Sequence, residues 1–296
     1  MAESSVRALA RRFVPGHGEP EICELQSGLA NVSYKVTRDA QDFVLRVRAA
    51  RGEAPGVERE WERRVLDAVS AARLAPQVLD CAPTEGVLLT RWITGASWSA
   101  AQSVQPWAAE QVAGLARRVH AVPPPLPARA MSPALWRILY LDALQRADLD
   151  AVRRATIGAW GVRALRVLNE YAALAAPVAC LCHSDIHRHN VLLSDSGLVL
   201  LDWEYAHVGD PFWDLAGWIS CNDLPIEAGE RFLAAYLQRE AIAAERIRLH
   251  LLSTAYDYIC LLWIELFQAA ERGSDAPVDT GLARRAELLA ARFVAG

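Results

Sequence analysis

The chain contains 296 residues, of which 53% are hydrophobic and 22% are charged, and its formal net charge at pH 7 is -4. It is too long for one small core and too apolar for an intrinsically disordered protein, and no heptad pattern indicates a coiled coil. The near balance of 31 basic and 35 acidic residues gives no electrostatic reason to expect binding to nucleic acid or to an acidic membrane. Small molecules and proteins remain as the expected partners.

The apolar segments and the cysteines of the sequence favour a soluble protein of the cytoplasm. The first residues, MAESSVRALARRF, lack the apolar segment of a signal peptide. The most apolar stretch, residues 259–267, is interrupted by Glu265 and is too short to span a bilayer. The six cysteines are scattered through apolar surroundings without a disulfide-like pattern. We therefore expect reduced thiols in a cytoplasmic protein.

Residues 1–92 predict a small α+β lobe. Three short stretches rich in β-branched and aromatic residues, separated by turn residues, predict an antiparallel meander. A charged stretch with one apolar face predicts a helix, and two further strand candidates follow it. The predicted strands are residues 22–26, 32–37, 42–47, 77–81 and 86–90, and the predicted helix is residues 57–72.

Residues 93–296 predict a larger, mainly helical lobe, which a short connector at 92–97 joins to the first. Apolar residues recur in it with helical spacing, and a few strand candidates flank its most polar segment. A small sheet lobe joined to a large helical lobe favours a ligand-binding cleft between the two. The predicted helices are residues 107–121, 135–147, 160–175, 226–239 and 243–272, and the predicted strands are 179–182, 191–193 and 198–201.

The polar segment contains residues that suit phosphoryl transfer. It reads Cys-His-Ser-Asp-Ile-His-Arg-His-Asn, in which His183, Asp185 and Asn190 form the pattern H-x-D-x-x-x-x-N, and Asp202 follows the next apolar strand. A loop anchored by a strand at either end would hold Asp185 close to Asn190, with Asp202 arriving from the neighbouring hairpin. Two carboxylates and an amide oxygen are hard ligands that suit magnesium. Phosphoryl transfer uses one acid to orient the hydroxyl and further oxygen ligands to hold metal on the triphosphate.

This pattern resembles the kinase-like phosphotransferases that include aminoglycoside phosphotransferases, choline and ethanolamine kinases and bacterial thiamine kinases. The resemblance implies a two-lobed, protein-kinase-like fold with a nucleotide-binding first lobe. It also implies that Asp185 is the catalytic base, that Asn190 and Asp202 bind magnesium, and that His183 supports the loop.

Two further stretches support the resemblance. Residues 209–216, Gly-Asp-Pro-Phe-Trp-Asp-Leu-Ala, are similar to the family's G-D-P-x-x-D-L-A motif, in which Asp214 would bind backbone amides of the catalytic loop. Residues 88–95 are similar to the family's hinge, where the backbone of Arg91 and Ile93 would reach the edge of adenine.

The small lobe carries residues to which the resemblance assigns phosphate binding. Arg46 occupies the strand position that holds the phosphate-binding lysine in protein kinases, and arginine is an always-charged, bidentate phosphate ligand. Glu60 would be the helix glutamate that pairs with Arg46, and Lys35 is a rival cation on the preceding strand. Residues 27–36 resemble the nucleotide-covering hairpin, in which small residues let backbone amides approach phosphates. The polar members of this hairpin are Ser27, Asn31 and Ser33.

Residues 256–267 are similar to the late helix of choline kinases, which carries aromatic residues on one side. Aromatic faces attract quaternary ammonium ions, and a nearby carboxylate adds to the attraction. Glu204 is also a candidate third metal ligand or a surface residue. Two positions depart from the family pattern: Cys260 stands where choline kinases often have a second tryptophan, and His189 stands where the family usually has glycine. The candidate walls are Trp218, Tyr256 and Trp263, and the candidate counter-charges are Glu204, Asp257 and Glu265.

The resemblance implies an enzyme that uses ATP and magnesium to phosphorylate the hydroxyl group of a small, cationic metabolite. Choline or ethanolamine is the first expectation and thiamine the second. Aminoglycosides and amino sugars follow, because the late helices offer few carboxylates among many aromatic residues. The alternative class is a non-catalytic nucleotide-binding protein of the same fold, which the presence of every residue needed for the chemistry argues against.

Two other kinds of site are disfavoured by spacing. The cysteines and histidines of this segment do not follow the paired spacing of structural zinc sites. Cys182 and His183 are adjacent on a predicted strand and would face opposite sides, which does not suit a nucleophile and its base. The residues considered for zinc are Cys180, Cys182, His183, His187 and His189.

Overall fold

The computed structural model describes residues 3–27, 31–49, 54–195, 197–271 and 280–295. Its first part is a five-stranded antiparallel sheet with two helices and its second part is mainly helical, so the predicted α+β class is confirmed. The predicted boundary between residues 92 and 93 falls between two strands that belong to different sheets. The first part consists of α1 (Glu3–Phe13), β1 (Glu21–Ser27), β2 (Asn31–Arg38), β3 (Gln41–Arg48), α2 (Arg59–Ala71), β4 (Val78–Ala82) and β5 (Val87–Arg91).

The sheet of the first part has the strand order β1-β2-β3-β5-β4. Successive side chains of a strand face opposite sides of a sheet. Leu45 and Val47 of β3 are accordingly buried in a core that includes residues of α1, whereas Val44 and Arg46 line the opposite side. Helix α1 was not among the elements predicted from the sequence. The alternation of β3 therefore turns Arg46 away from the core that α1 completes.

The second part contains five short strands and eight helices within the described ranges. Three of the strands form the sheet β6-β8-β9 and two form the pair β10-β7. The strands are β6 (Gly95–Ser97), β7 (Cys180–Cys182), β8 (Val191–Ser194), β9 (Gly197–Leu200) and β10 (His207–Gly209). The helices are α3 (Ala100–Ser103), α4 (Pro106–His120), α5 (Pro133–Arg146), α6 (Ala151–Ala172), α7 (Phe212–Cys221), α8 (Ile226–Leu237), α9 (Ala243–Glu271) and α10 (Thr280–Ala295).

The connector between the two parts ends in a strand, because β6 pairs antiparallel with β8. Gly95 permits this approach: a Cβ atom at this position would lie 2.5 Å from the carbonyl oxygen of Leu193. The polar segment predicted to carry the chemistry follows β7 and continues into β8, and β9 pairs with β8 just before Asp202. These strands fix both ends of the polar segment.

Helix α9 lies at the centre of the second part and packs against α5, α6, α7 and α10. Its side chains are buried around most of its circumference. The predicted helix at 160–175 begins inside α6, whose first turn is capped by the Asp150 side chain, which accepts a hydrogen bond from the amide of Arg153. None of the helices in the described ranges combines the length and the apolar composition that a bilayer crossing requires.

Helix α2 connects the cores of the two parts. Trp61 is fully buried, and its indole nitrogen donates to the carbonyl oxygen of Ala206 in the second part over 2.7 Å. Val65 and Val69, on the same side of the helix, belong to the core of the second part. This packing fixes the rotation of α2, and with it the direction in which its charged residues point.

Candidate active site

The 183–190 loop holds Asp185 and Asn190 together. The carbonyl oxygen of His187 accepts from the amides of Asn190 and Val191 over 2.9 and 3.1 Å, which closes a turn before β8. The side-chain nitrogen of Asn190 donates to the carboxylate Oδ2 and to the carbonyl oxygen of Asp185, over 3.0 Å in each case. The Asn190 amide is thereby oriented, and its oxygen is the atom left for another ligand.

Asp214 of α7 anchors the start of this loop from within the core. Its fully buried carboxylate accepts from the amides of His183 and Ser184 over 2.9 and 2.6 Å. Burial raises the pKa of Asp214, but the hydrogen bond and charge of His120, 3.0 Å away, more than offset it and leave that pKa below its usual value. Ser184 adopts the left-handed conformation, with φ of 73°, which such an anchor stabilises.

His183 connects Asp185 to the chain that precedes Asp202. Its Nδ1 accepts from the amide of Asp185 over 3.2 Å, and its Nε2 lies 2.9 Å from the carbonyl oxygen of Leu201. Burial lowers the pKa of His183, so the ring is neutral and its Nε2–H donates to Leu201. Since both nitrogens bind backbone, His183 is a positioning residue and not one that touches reactants.

His187 is a neighbour of Asp185 to which the sequence analysis assigned no role in phosphoryl transfer. Its Nε2 lies 3.5 Å from Oδ2 of Asp185. Burial lowers the pKa of His187, but the charge of Asp185 outweighs burial and raises it to about 9. In turn, burial raises the pKa of Asp185, while the charges of His187 and His183 more than offset this and keep it below its usual value. Asp185 is therefore ionised at neutral pH despite its burial.

Arg46 spans the two parts of the molecule. One guanidinium nitrogen lies 2.8 Å from Asp202, and another lies 2.5 Å from Glu62 of α2. The prediction that Glu60 pairs with Arg46 is wrong, because Glu60 is exposed, whereas Glu62 is buried. Two residues correspond to about 200° of rotation around a helix. Because Trp61 faces the core, only one of its two acidic neighbours can point toward Arg46.

Arg59 forms a second ionic group beside the first. It pairs with Glu62 over 2.9 Å and with Glu204 over 3.0 Å, and it donates to the side-chain oxygen of Asn31 over 2.8 Å. The side-chain nitrogen of Asn31 donates to Glu204 over 2.7 Å. Glu204 is thus a buried member of this ionic network and not the wall of a substrate cavity.

Asn190 and Asp202 have the donor chemistry that fits a magnesium ion. Burial raises the pKa of Asp202, and Arg46 lowers it. The charges of Glu62 and Asp185 raise it further, so the pKa lies above its usual value. A divalent cation would offset that accumulation of negative charge. The Asp202 side chain is 40% exposed, and carboxylate and amide oxygens are the ligands that Mg²⁺ prefers.

A cleft of about 730 Å³, named here the interlobe cleft, lies between the two parts. The predicted nucleotide residues Asn31, Ser33, Arg91 and Ile93 line it. The amide of Arg91 donates to the carbonyl of Gln77 over 2.9 Å, so this amide is already used within the sheet. The carboxylate and carboxamide residues that reach the cleft from the second part are Asp185, Asn190, Asp202 and Glu204.

The remaining predictions for nucleotide binding have separate outcomes. Lys35, the rival of Arg46, pairs with Asp42 over 2.7 Å and does not line the interlobe cleft. Ser27 is the last residue of β1, and its side chain lies outside the described part of the structure. The turn at 28–30 that would follow it also lies outside the described residues.

A second cavity of about 280 Å³, named here the aromatic cavity, adjoins the interlobe cleft. The two share Asp185, His187, Tyr205 and Trp263 as lining residues. Among the described residues, the carboxylate that lines the aromatic cavity is that of Asp185. The aromatic residues that line the cavity are Trp136, Tyr140, Tyr205, Trp213, Tyr256 and Trp263.

Two of the six predicted substrate residues, Tyr256 and Trp263, line this cavity, and the other four, among them Glu204, do not. The prediction of Trp218 as a wall of the substrate site is wrong. Trp218 is fully buried in the core between Trp98 and Phe232, whose ring centroids lie 6.0 and 6.2 Å from its own.

The prediction that Asp257 and Glu265 supply counter-charges to the cavity is also wrong. Asp257 pairs with Arg292 over 2.6 Å, and Glu265 pairs with Arg153 over 2.8 Å. At about 100° per residue, these two positions of α9 point well away from Tyr256. Trp263, one heptad after Tyr256, returns to nearly the same direction.

The sequence analysis missed the walls that come from other segments. Trp136 and Tyr140 lie four residues apart on α5, where the sequence analysis predicted a helix without a site residue, and Tyr205 lies just beyond Asp202. The spacing of Trp136 and Tyr140 was an available signal, because residues at i and i+4 share a helix face.

The residues considered for a zinc site or a nucleophile, all within the described range 180–189, have other neighbours. His183 binds Leu201, and the rings of His187 and His189 pack on each other at 5.8 Å. Cys180 and Cys182 do lie near His120, with ligand atoms within 4.8 Å of one another. Both ring nitrogens of that histidine already contact Asp214 and Tyr236, at 3.0 and 2.8 Å. Burial raises the pKa of the Cys182 thiol well above its usual value, which disfavours it as a nucleophile.

Comparison with known proteins gives matches over most of the chain. The family model described as "Phosphotransferase enzyme family" matches residues 21–250. A thiamine kinase of Salmonella typhi is 30% identical over 241 residues, which cover 80% of this chain and 77% of that protein. Protein LicA of Haemophilus influenzae is 34% identical over 77 residues, 23% of this chain and 29% of that protein, so the chain spans less than a third of this relative's length.

Structural comparison gives a match of the same kind. The crystal structure of a choline/ethanolamine kinase family protein from Mesorhizobium loti superposes with a TM-score of 0.75 at 26% sequence identity. The match covers 100% of this chain and 94% of that one. The predicted two-lobed, kinase-like fold is thereby confirmed.

We expect Glu62→Gln to weaken the binding of ATP with Mg²⁺ by about tenfold or more, because hydrogen bonds to charged groups contribute ~1.5–3 kcal/mol and this one orients Arg46. Glu60→Gln is the matched control, since it makes the same change two residues away on the exposed side of α2. Isothermal titration calorimetry on the three proteins measures the effect. Equal losses in both variants would contradict the assignment of Glu62.

A pH-dependent contribution to stability is expected from His187. Its pKa in the folded protein, about 9, lies above the ordinary value of 6.5. The protonated ring therefore stabilises the fold fully below about pH 6.5, and this contribution of roughly 3 kcal/mol is lost as the pH rises through about 9. Urea unfolding of the wild type and of His187→Asn between these limits tests it. A difference in unfolding free energy that did not change with pH would show that His187 is neutral in the fold.

Proposed function

Because the chain belongs to the phosphotransferase enzyme family, we propose that it is an ATP- and magnesium-dependent kinase that phosphorylates a hydroxyl group of a small organic cation of the choline or ethanolamine type. The observation that carries this proposal is the junction of the two cavities at Asp185. A nucleotide in the interlobe cleft and an acceptor in the aromatic cavity would meet at that carboxylate.

The residues at the junction suit in-line phosphoryl transfer. Asp185, kept ionised by His187, would orient the acceptor hydroxyl and accept its proton. Arg46, held by Glu62, would bind phosphate oxygens and balance their charge. Magnesium bound by Asn190 and Asp202 would supply further charge neutralisation at the phosphates. Catalysis would then rest mainly on positioning and on charge stabilisation.

The composition of the aromatic cavity supports an organic cation as acceptor. Indole and phenol faces attract ammonium ions through the ring quadrupole. An acceptor with many amino groups, such as an aminoglycoside, would need several free carboxylates, whereas Asp257 and Glu265 are neutralised by arginines. The structural match to a choline/ethanolamine kinase family protein agrees with a compact cation.

Thiamine is the second candidate, and the aromatic lining of the cavity favours it. Six aromatic side chains in the described ranges line this cavity of about 280 Å³ and offer several ring faces. Thiamine is also a hydroxyl-bearing cation with aromatic rings that can stack on tryptophan and tyrosine. The thiamine kinase of Salmonella typhi matches 80% of this chain.

A coupled ATP-consumption assay across choline, ethanolamine, thiamine, an amino sugar and kanamycin tests the proposal. We expect turnover with one of the first three acceptors. Asp185→Asn should lower that turnover by about 10²–10⁴-fold, the scale of general-base catalysis, while ATP affinity stays near the wild-type value. Turnover retained in Asp185→Asn would remove this residue from the mechanism, and preference for kanamycin would contradict the compact-cation acceptor.

The role of Trp263 is tested by a second pair of variants. Trp263→Ala should raise the KM of the acceptor by about tenfold, with a much smaller effect on the KM of ATP, because a cation loses one aromatic face. Trp107→Ala is the control, since Trp107 is 40% exposed and lines neither cavity. Equal increases in both KM values for Trp263→Ala would indicate a packing role instead.

A further inference from the structure

Two cysteines face the aromatic cavity together with Asp185. Cys221 is the last residue of α7, and Cys260 lies in the middle of α9, which packs against α7. Both are partly exposed and line the cavity. All six cysteines of the chain lie in the described ranges as free thiols.

The two thiols lie on packed helices at one wall of the cavity and differ in acidity. The Cys221 sulfur lies 3.7 Å from the hydroxyl oxygen of Tyr256, and Cys260 follows Tyr256 by about one turn on the same side of α9. The neighbouring Cys260 thiol and the positive charge of His187 lower the pKa of Cys221, against the effect of burial. The Cys221 thiol and burial raise the pKa of Cys260 well above its usual value. One thiol is therefore the better nucleophile, with a second beside it.

The position of this pair connects it to the 183–190 loop. The Tyr256 hydroxyl that contacts Cys221 donates to the carbonyl oxygen of Ser184 over 3.2 Å. Asn222, the residue after Cys221, accepts from the amide of Arg188 over 3.1 Å. A covalent change at Cys221 would therefore act on the loop from two sides, as well as on the wall of the aromatic cavity.

We propose that Cys221 and Cys260 are a thiol pair that peroxide oxidises to a disulfide, and that the disulfide suppresses turnover of the acceptor. The effect on turnover rests on the proposed function, whereas the chemistry of the pair does not. Closing the disulfide draws α7 and α9 together beside Asp185 and removes the hydrogen bond between Cys221 and Tyr256.

The reaction balances with hydrogen peroxide as the oxidant. The Cys221 thiolate attacks one peroxide oxygen, the O–O bond breaks, and the departing hydroxide takes a proton to leave as water, which gives a sulfenic acid. Cys260 then attacks the Cys221 sulfur, the S–S bond forms, and the sulfenic oxygen leaves as a second water with the thiol proton of Cys260. Two thiols lose two electrons in total, and the peroxide gains them.

A competing pair, Cys180 and Cys182, is less suited to this reaction. These residues lie two positions apart on β7, where an extended chain separates Cα atoms by about 6.6 Å, near the upper limit for a disulfide. The Cys182 thiol is fully buried and contacts the carbonyl oxygen of Asp210 over 3.5 Å. This pair does not line the aromatic cavity.

The experiment treats the full chain with one equivalent of hydrogen peroxide and then with dithiothreitol. Free thiols are counted with Ellman's reagent in denaturant, linked peptides are mapped by mass spectrometry, and turnover is measured with choline or with whichever acceptor the screen identifies. Each variant is compared with its own untreated sample. The variants are Cys221→Ser, Cys260→Ser and, as a control on an exposed thiol, Cys23→Ser.

In the wild type and in Cys23→Ser we expect the loss of two thiols, a Cys221–Cys260 peptide, and a fall in turnover of about tenfold to a hundredfold that dithiothreitol reverses. Cys260→Ser should retain a sulfenic acid on Cys221 that reacts with dimedone, and Cys221→Ser should form no disulfide. A Cys180–Cys182 link, no link at all, or a Cys221–Cys260 link with unchanged turnover would overturn the proposal. A protein that forms the link but phosphorylates no acceptor would refute the proposed function and leave the oxidation chemistry in place.

Discussion

Arg46 is buried between Glu62 and Asp202, and its guanidinium forms an ion pair with each of them. The pair with Glu62 is buried, and removing one partner of a buried pair costs about 3–5 kcal/mol, because it leaves a charge without full compensation. The sheet of the first part therefore cannot move away from the chain around Asp202 without separating these ions. Arg59 repeats the arrangement with Glu204, and Trp61 adds apolar packing on the other side of α2. The relative placement of the phosphate-facing strand and the 183–190 loop follows from these contacts.

The loop itself is fixed by a different kind of interaction. Asp214 is a buried carboxylate whose charge is balanced by two amides and by His120, so it acts as a rigid point inside the core. Left-handed backbone at a non-glycine residue, as in Ser184 and Asp202, costs of order 1–3 kcal/mol each and persists only where surrounding contacts impose it. Ser184 precedes Asp185, and Asp202 is itself a candidate magnesium ligand. At these two positions the left-handed backbone sets the direction of a side chain at the candidate site.

Short-range sequence patterns predicted the parts of the site that one segment supplies. The spacing of Asp185 and Asn190 within one loop, and the position of Asp202 after one strand, need no knowledge of the rest of the molecule. Glu62 required the rotation of α2, which Trp61 sets by packing on a distant part of the chain. Two acidic residues on a charged helix are indistinguishable until that packing is known.

Helix α9 gives a second example of a site residue whose direction depends on packing that the sequence does not show. Because α9 is buried around most of its circumference, its apolar pattern does not reveal which direction faces the cavity. Asp257 and Glu265 therefore looked available in the sequence, although arginines far away in the chain neutralise them. Walls such as Trp136 come from a helix that no motif connects to Asp185.

The pairing of charged side chains around the aromatic cavity affects how a magnesium ion and a cationic acceptor could bind beside each other. His187 faces Asp185, and Arg285 pairs with Asp223, so the cations that line the aromatic cavity have anionic partners. The carboxylates of α9 behind the cavity have cationic partners, which are arginines. Ring faces attract an organic ammonium ion but offer no oxygen ligands to a hard metal ion. Asn190 and Asp202 offer oxygen ligands but no apolar surface. On the proposed function, magnesium and the acceptor would each occupy the right site because the two sites differ in ligand chemistry, without any need for a difference in net charge.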